Sequence, residues 1–428
     1  MNTFALLMRE AGVEVRAGLR SGIPVLVFLG LTGYLLMALT NADYVQKMGA
    51  SEIVRNAPSL IYLMSCGCMF FLFFAWAWVF AQPALRDRKA QLEEVVLALP
   101  LSLPGLLWGR FIGAAVVGAL LASSLIVGFI FSPILGWLGW VPAASIGAPA
   151  WPALGFAWVA LLLPVSSGIG ALYYLLALRS RGLAAPFALA TVLMLLWMFA
   201  VVVLKGGDIN PLLAASLDPS LFTFALAQVE TWTAAQKSQS LLALTPGFWL
   251  NRALWCVLPL LLLAVVLART SRQGLMGRRA GALLADPPMR LAVDTRLPGP
   301  LLAIHWPQAL WYETSWQIRQ VFARKIWWVA LGLLLVMGLL SGFVHVVWHV
   351  RGPMVPRADL TLPLLSSALF LVIAFVVAAL VGLVCRRDDV EGLGEMLQAT
   401  PAPIWLRLLR VVGDAAAGPG AGHREPAD

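Results

Sequence analysis

Charged side chains are scarce in this chain. Asp, Glu, Lys and Arg make up 12% of its 428 residues, and hydrophobic residues make up 61%. A soluble domain has about 25% charged and about 45–50% apolar residues. The composition therefore excludes an ordinary soluble protein. The chain also contains apolar runs long enough for a helix to cross a hydrocarbon core of roughly 30 Å, which predicts an all-α integral membrane protein.

Several motifs of catalysis are missing. The chain has no GxxxxGK[ST] phosphate-binding loop, no HExxH zinc motif and no GxSxG nucleophile elbow, so it does not bind ATP or hydrolyse substrates by those routes. His345 and His349 have the spacing of metal ligands but lack a third ligand, and histidines at a membrane interface explain them better. The sequence thus predicts no catalytic residue, no cofactor and no metal site.

Ionisable residues are also missing from the middle of every predicted span. Such residues mark proton relays and ion-coupled transporters, so their absence argues against transport driven by protons or sodium. The net charge is +9, and in a membrane protein an excess of Lys and Arg is typical of cytoplasmic loops. With a cytoplasmic amino terminus, the inner segments hold 23 of the 30 basic residues and the outer segments hold 7. The charge therefore predicts this orientation and no nucleic-acid partner.

The apolar runs predict about eight transmembrane helices. Their approximate bounds are residues 23–39, 60–80, 111–130, 153–178, 185–204, 248–267, 326–347 and 362–384. Pro164 lies inside the fourth and predicts a kink there, because proline removes one hydrogen bond of a helix. The loop 132–152 is uncharged and rich in Trp, which favours the outer headgroup layer, and a short outer helix is predicted near residues 221–237.

Residues 4–20 predict an amphipathic helix before the first span. Its apolar side chains fall within one arc and its basic ones within a neighbouring arc, as in a helix that lies in a membrane interface. The apolar members are Phe4, Met8, Ala11, Val15 and Leu19, and the basic members are Arg9, Arg16 and Arg20. An ordinary cytoplasmic tail is the alternative.

A charged stretch, residues 86–104, lies between the second and third spans, and a similar one recurs as residues 387–403. When the two stretches are aligned without gaps, Arg86 pairs with Arg387, Asp87 with Asp388, Glu94 with Glu395 and Pro100 with Pro401. Leu92, Val95, Val96 and Leu99 give the first copy an apolar side. Two short amphipathic helices between membrane spans favour docking into grooves of a soluble partner. Solvated loop charges are the alternative.

The repeat predicts two permease-like units in parallel orientation, because six spans separate the copies. The first unit is 1–268, a basic cytoplasmic linker follows at 269–304, and a partial second unit is 305–410 with two spans. A low-complexity tail, 411–428, is expected to be disordered. The pattern favours a truncated product of a longer ancestor, with a genuine eight-span protein as the alternative.

An interfacial elbow helix, six spans and a charged helix that ends in a proline resemble the permease subunit of ABC transporters of the ABC-2 type. Residues 1–268 resemble one complete unit of that family, and residues 305–410 resemble the opening of a second. In the family the charged helix is the coupling element that sits on a separate nucleotide-binding ATPase. The resemblance implies that role for Arg86, Asp87, Glu93, Glu94, Arg387, Asp388 and Glu395, with Arg9, Arg16 and Arg20 holding the elbow at the lipid headgroups.

The resemblance implies an exporter of a hydrophobic or amphipathic solute in the bacterial inner membrane. Its partners would be the ATPase subunit and membrane lipid, and the chain would carry no enzymatic activity of its own. Assembly as a homodimer or a heterodimer stays open. The alternative function is a non-transporting membrane scaffold or a truncated, inactive permease. A third reading, a membrane enzyme acting on lipids, lacks a convincing set of polar catalytic groups.

Overall fold

A computed structural model describes residues 3–42, 45, 53–90, 92–180, 182–205, 211–271, 315, 319, 328 and 332. Contacts between Cα atoms divide the chain into two compact units, Met1–Pro287 and Pro288–Asp428. In the second unit only four helical positions are described. The eighth predicted span, all of the seventh except residues 328 and 332, nearly all of the linker and the second charged stretch therefore lie outside the described residues.

The elements of the described residues are all helical. The first part contains α1 (Thr3–Arg20), α2 (Ile23–Thr40), α3 (Pro58–Gly67), α4 (Met69–Lys89), α5 (Glu93–Ala98), α6 (Leu103–Ile130) and α7 (Pro133–Trp137). The second part contains α8 (Trp151–Phe156), α9 (Leu163–Ser180), α10 (Ala184–Lys205), α11 (Pro211–Leu217), α12 (Phe222–Glu230), α13 (Ala234–Gln239), α14 (Pro246–Arg252) and α15 (Leu258–Arg269).

Six helices of the described residues are long and apolar enough to cross a membrane. They are Ile23–Thr40, Met69–Arg88, Leu103–Trp137, Trp151–Ser180, Ala184–Val201 and Pro246–Arg269. Each overlaps one of the first six predicted spans. The prediction of an all-helical, membrane-embedded protein is thereby confirmed for this part of the chain.

α4 and α6 form the centre of the bundle, and α1, α2, α9 and α10 pack around them. Trp76 of α4 is fully buried and donates its indole N–H to the backbone oxygen of Gly118 at 3.0 Å. Tyr174 of α9 donates to the oxygen of Leu107 at 3.0 Å. These two buried aromatic side chains thus satisfy their polar tips on the backbone of α6.

The second predicted span is longer than expected and is built from two helices. α3 ends at Gly67, and α4 continues after Cys68 to Lys89. Every residue of α3 is buried, so this half belongs to the core of the bundle. The helix continues past the predicted end of the span near residue 80, through Arg86 and Asp87, which find ionic partners.

The third span likewise begins earlier than expected, at Leu103 instead of about residue 111. Pro104 occupies the first turn of α6, where a missing backbone N–H costs nothing. In the sequence, Arg110 immediately precedes the predicted third span and was interpreted as its polar border. In the structure it is 6% exposed and ion-paired inside the bundle, so the helix extends past it.

The fourth span changes its hydrogen-bond pattern where proline predicts a disturbance. Residues Ala157–Leu162 form a π-helical segment between α8 and α9, immediately before Pro164. A second π-helical segment, Ala253–Val257, joins α14 to α15. The predicted outer helix near 221–237 is two helices, α12 and α13, and Thr233 caps the second by accepting from the N–H of Gln236.

Candidate functional site at the charged end of the bundle

The end of α4, the short α5, the start of α6 and the length of α1 meet at one end of the bundle, which we call the charged end. α1 lies against α6 along three glycines spaced four residues apart: Gly105, Gly109 and Gly113. A Cβ atom at Gly109 would lie 2.7 Å from the backbone oxygen of Leu7, and one at Gly113 would lie 2.8 Å from that of Ala11. Only glycine permits this distance between the two backbones.

Two glutamates of α1 face the bundle at this contact. Glu14 lies 2.7 Å from the Arg86 guanidinium, and Glu10 lies 3.6 Å from both Arg86 and Arg110. Arg110 in turn contacts Asp87 at 2.8 Å. These five residues, which we call the charge cluster, connect α1, the end of α4 and the first turns of α6.

The charge cluster holds three carboxyl groups against two guanidinium groups. Glu14 is 6% exposed, and this burial raises its pKa from the usual 4.5 to about 7, although Arg86 and Arg110 oppose the rise. The negative charges of Glu10 and Asp87 raise the pKa of Glu14 further, because they repel its ionised carboxylate. Near neutral pH the cluster therefore exchanges one proton, and protonation of Glu14 balances its formal charge.

α5 follows α4 after a tight turn that a second ion pair closes. Arg88 donates to Glu93 through Nε and Nη2, at 3.2 and 3.0 Å. Around this turn Leu92 and Val95 are 50% and 58% exposed, and Leu99 is also exposed. The charged end thus presents apolar side chains outward beside a fixed set of charges.

The structure separates residues that the sequence had placed on one charged helix. Arg86, Asp87 and Arg88 close α4, and only Glu93–Ala98 form α5. The expectation of a single charged helix over this stretch is wrong, because the ion pairs of Arg86 and Asp87 stabilise a continuation of α4. These two side chains point toward α1 and α6, and their contact with an ATPase stays a prediction.

The remaining predicted site residues divide into two groups. Arg9, Arg16 and Arg20 are exposed on α1, as the expected headgroup contact requires, although their contact with lipid stays a prediction. The apolar arc predicted for α1 is also largely exposed, since Phe4 and Met8 face outward. The side chain of Glu94 and the residues Arg387, Asp388 and Glu395 lie outside the described part.

Glu10, Glu14 and Arg110 belong to the charge cluster, but no site role was predicted for them. A signal existed, because Glu10 and Glu14 are one helical turn apart and share a face of α1. The spacing of Gly105, Gly109 and Gly113 was a second signal, since small residues every four positions mark close helix contacts in membranes. Together they identify which face of α1 packs on α6.

A second polar group, centred on Asp218, lies at the end of the bundle opposite the charged end. Asp218 is fully buried, and it accepts hydrogen bonds from Ser220 and Thr223 through both carboxylate oxygens. Burial raises its pKa, although these hydrogen bonds lower it. Asn251 donates to the backbone oxygens of Ala215 and Asp218, each at 2.6 Å. The arrangement fixes the α11–α12 turn onto α14.

Arg252 lies next to this group and is 6% exposed. Its Nη1 donates to the backbone oxygen of Leu161 at 3.3 Å, and its guanidinium lies 5.4 Å from the centre of the Phe248 ring. Among the residues that the structure describes, no group of three His, Cys, Asp or Glu side chains has the arrangement of a metal site. Cys66, Cys68 and Cys256 are free and buried.

Comparison with known proteins adds no family to this description. No protein-family model matches the chain, and no curated protein matches it significantly.

Proposed function

We propose that this chain is the permease subunit of an ABC transporter of the ABC-2 type. It moves a hydrophobic or amphipathic solute across a bacterial inner membrane, and a separate subunit hydrolyses the ATP. The amino terminus and the charged end face the cytoplasm. In this proposal the chain has eight spanning helices, and the stretch 387–403 provides a second docking element.

The observation that carries the proposal is the exposed apolar surface of α5 at the charged end. Leu92, Val95 and Leu99 are exposed at the end of the bundle where α4 and α6 turn. Exposed apolar side chains outside the spanning segments indicate a protein contact when they lie within a charged rim. A groove on a soluble ATPase is such a partner.

The charge cluster gives this docking site a mechanical role. α5 is joined directly to α4 and precedes α6, and Arg86 and Arg110 bind both helices to α1. A displacement of α5 by the ATPase therefore moves three helices together. Two of them, α4 and α6, are at the centre of the bundle, so ATP-dependent movement at α5 reaches that centre.

Affinity capture of the tagged full chain from its native membrane tests the proposal. We expect an ABC ATPase, identified by peptides that contain a phosphate-binding loop, at a fixed ratio to the chain. Val95→Asp places a charge in the apolar contact and should reduce capture about tenfold or more. Capture at the level of the unaltered chain would remove α5 from the docking surface.

The matched control is Leu241→Asp, which introduces the same charge at an exposed apolar position of the opposite end. It should leave capture of the ATPase unchanged. Reconstitution of chain and ATPase in liposomes gives the second readout, because ATPase activity should increase with the solute only when α5 is intact. Absence of any ATPase from the capture of the unaltered chain contradicts the proposal.

A further inference from the structure

Arg252 is a buried cation without an ionic partner among the described residues. It is 6% exposed, and the ion pairs of the described residues lie elsewhere, in the charge cluster and the Arg88–Glu93 pair. The nearby carboxylate of Asp218 is occupied by Ser220 and Thr223. Burial of a charge is costly unless an opposite charge accompanies it.

The donors of Arg252 are only partly used. Nη1 donates to the backbone oxygen of Leu161 and contacts the sulfur of Cys256 at 3.7 Å. Nε and Nη2 have no hydrogen-bond partner within the described part of the chain. Arginine binds a carboxylate or a phosphate through Nε and one Nη, which donate two parallel hydrogen bonds. The two atoms of Arg252 without a partner, Nε and Nη2, are therefore the pair that binds an anionic group.

Arg252 has an apolar neighbour as well as the polar group of Asp218, and its spanning helix also carries side chains on the outside of the bundle. The Phe248 ring lies beneath the guanidinium. On the same helix Trp249 and Val257 are 59% and 52% exposed. In a membrane these exposed side chains face acyl chains, so a ligand with an apolar tail reaches this region from the bilayer.

We propose that Arg252 is the anion-binding residue of a ligand site in the half of the bundle opposite the charged end. The ligand is an amphiphile with a phosphate or carboxylate group and an apolar tail. Nε and Nη2 hold the anionic group, while Phe248 and the backbone oxygen of Leu161 fix the guanidinium plane. Binding at this site needs no ATPase, whereas its use as the site of the transported solute rests on the proposed function.

Binding of phosphatidylglycerol to the purified full chain in a neutral maltoside detergent tests this site. Phosphatidylcholine and sodium phosphate are titrated in parallel, and native mass spectrometry counts the bound molecules. We expect phosphatidylglycerol to bind about tenfold or more tightly than phosphatidylcholine, because both lipids carry a phosphate but only phosphatidylglycerol brings a net negative charge to the buried guanidinium, whereas choline offsets the phosphate charge. Arg252→Gln should abolish this preference.

Arg269→Gln is the matched control, since it removes an exposed arginine from the far end of the same spanning helix. It should retain the preference for phosphatidylglycerol. An Arg252→Gln protein that elutes and melts like the unaltered chain and still prefers phosphatidylglycerol overturns the proposal. If sodium phosphate competes with phosphatidylglycerol, the site also binds free anions. If sodium phosphate does not compete, the ligand is a lipid headgroup.

A second measurement uses the unaltered chain and does not depend on the folding of a variant. Phosphatidylglycerol with a photoactivatable diazirine near its headgroup should label the peptides that contain Leu161 or Cys256, and excess unlabelled phosphatidylglycerol should suppress the label. Label confined to other peptides overturns the proposal. Loss of ATPase capture with this labelling intact would contradict the proposed function and leave the anion site standing.

Discussion

At the scale of single residues, the chain retains a few charges inside an apolar bundle, and each is held differently. Arg110 is neutralised by Asp87 at 2.8 Å. Asp218 is satisfied by hydrogen bonds from Ser220 and Thr223. Glu14 is in contact with Arg86, yet burial still raises its pKa to about 7, so its ionisation responds to conditions near neutrality.

The raised pKa of Glu14 predicts that the protein is more stable at pH 5 than at pH 8. Between pH 4.5 and 7 the folded chain holds the proton of Glu14 more tightly than the unfolded chain. The free energy of unfolding therefore falls as pH rises through this window, by at most about 3 kcal/mol, and levels off above it. Thermal unfolding in detergent, followed by tryptophan fluorescence between pH 5 and 8, measures this loss.

Glu14→Gln isolates that contribution, because the amide has nearly the same shape and no ionisation. The variant should lose the part of the pH dependence that Glu14 causes. Glu230→Gln, at an exposed position, should keep it. Identical pH profiles for Glu14→Gln and the unaltered chain would show that Glu14 does not exchange its proton in this range.

At the scale of helices, the contact between α1 and α6 depends on three glycines of α6. The backbone of α1 approaches so closely that Cβ atoms at Gly109 and Gly113 would collide with backbone oxygens of α1. Backbone atoms of a helix cannot rotate away as a side chain does, so the two helices must separate to accept a larger residue. The ion pairs of Glu10 and Glu14 lie directly beside this contact.

Gly109→Ala is expected to destabilise the folded protein by about 1–3 kcal/mol, as overpacking does in a close contact. It should also lengthen the ion pairs of α1 and so reduce capture of the ATPase. Unfolding can be followed by reaction of the buried cysteines with a fluorescent maleimide on heating. Gly12→Ala is the control on α1 itself, since its Cβ would meet no atom within 4 Å.

A Gly109→Ala protein with the melting temperature of the Gly12→Ala protein would contradict the predicted collision. The side chain of alanine is small, so that outcome would mean that α1 shifts on α6 at little cost.

The positions of these helices could be predicted from the sequence better than their ends. Apolar runs located the first six spans, because long apolar segments have few alternatives in a membrane protein. The helices extend beyond the predicted ends of the spans at Arg86 and Arg110, where charge was interpreted as a border. Both residues have partners that are distant in sequence, such as Glu14 for Arg86, and only the folded bundle brings them together.

At the scale of the whole molecule, the bundle has two unlike ends. The charged end combines the charge cluster with the exposed side chains of α5, and the other end holds loops that are fixed by hydrogen bonds. Asn56 exchanges two hydrogen bonds with the backbone of Gly147, at 2.7 and 2.8 Å. The side chain of Arg55 donates to the last carbonyls of α2, at Leu39 and Thr40.

The asymmetry was only partly predictable from sequence. The distribution of Lys and Arg predicted which loops share a side, and the uncharged loop 132–152 was correctly separated from the charged stretch. The pair of Asn56 and Gly147 and the buried Arg252 could not be predicted. Each depends on residues roughly ninety positions apart whose contact no local pattern encodes.

The predicted orientation can be measured with introduced cysteines. Ala90→Cys places an exposed thiol at the charged end, and Trp137→Cys places one at the opposite end, where the side chain is 85% exposed. A membrane-impermeant maleimide should label Trp137→Cys in intact cells and label Ala90→Cys only after permeabilisation. The chain without an introduced cysteine must stay unlabelled in intact cells, and the reverse pattern would place the amino terminus outside.

The charge cluster also has a consequence for biogenesis. α1 leaves the ribosome before its partners: Arg86 is at the end of the second spanning segment, and Arg110 and the glycines of α6 belong to the third. Until those partners are in place, Glu10 and Glu14 must remain in water or among headgroups, where carboxylates are well solvated. We therefore expect docking of α1 to be a late step of insertion, restricted to chains whose first three spans have threaded in the correct direction.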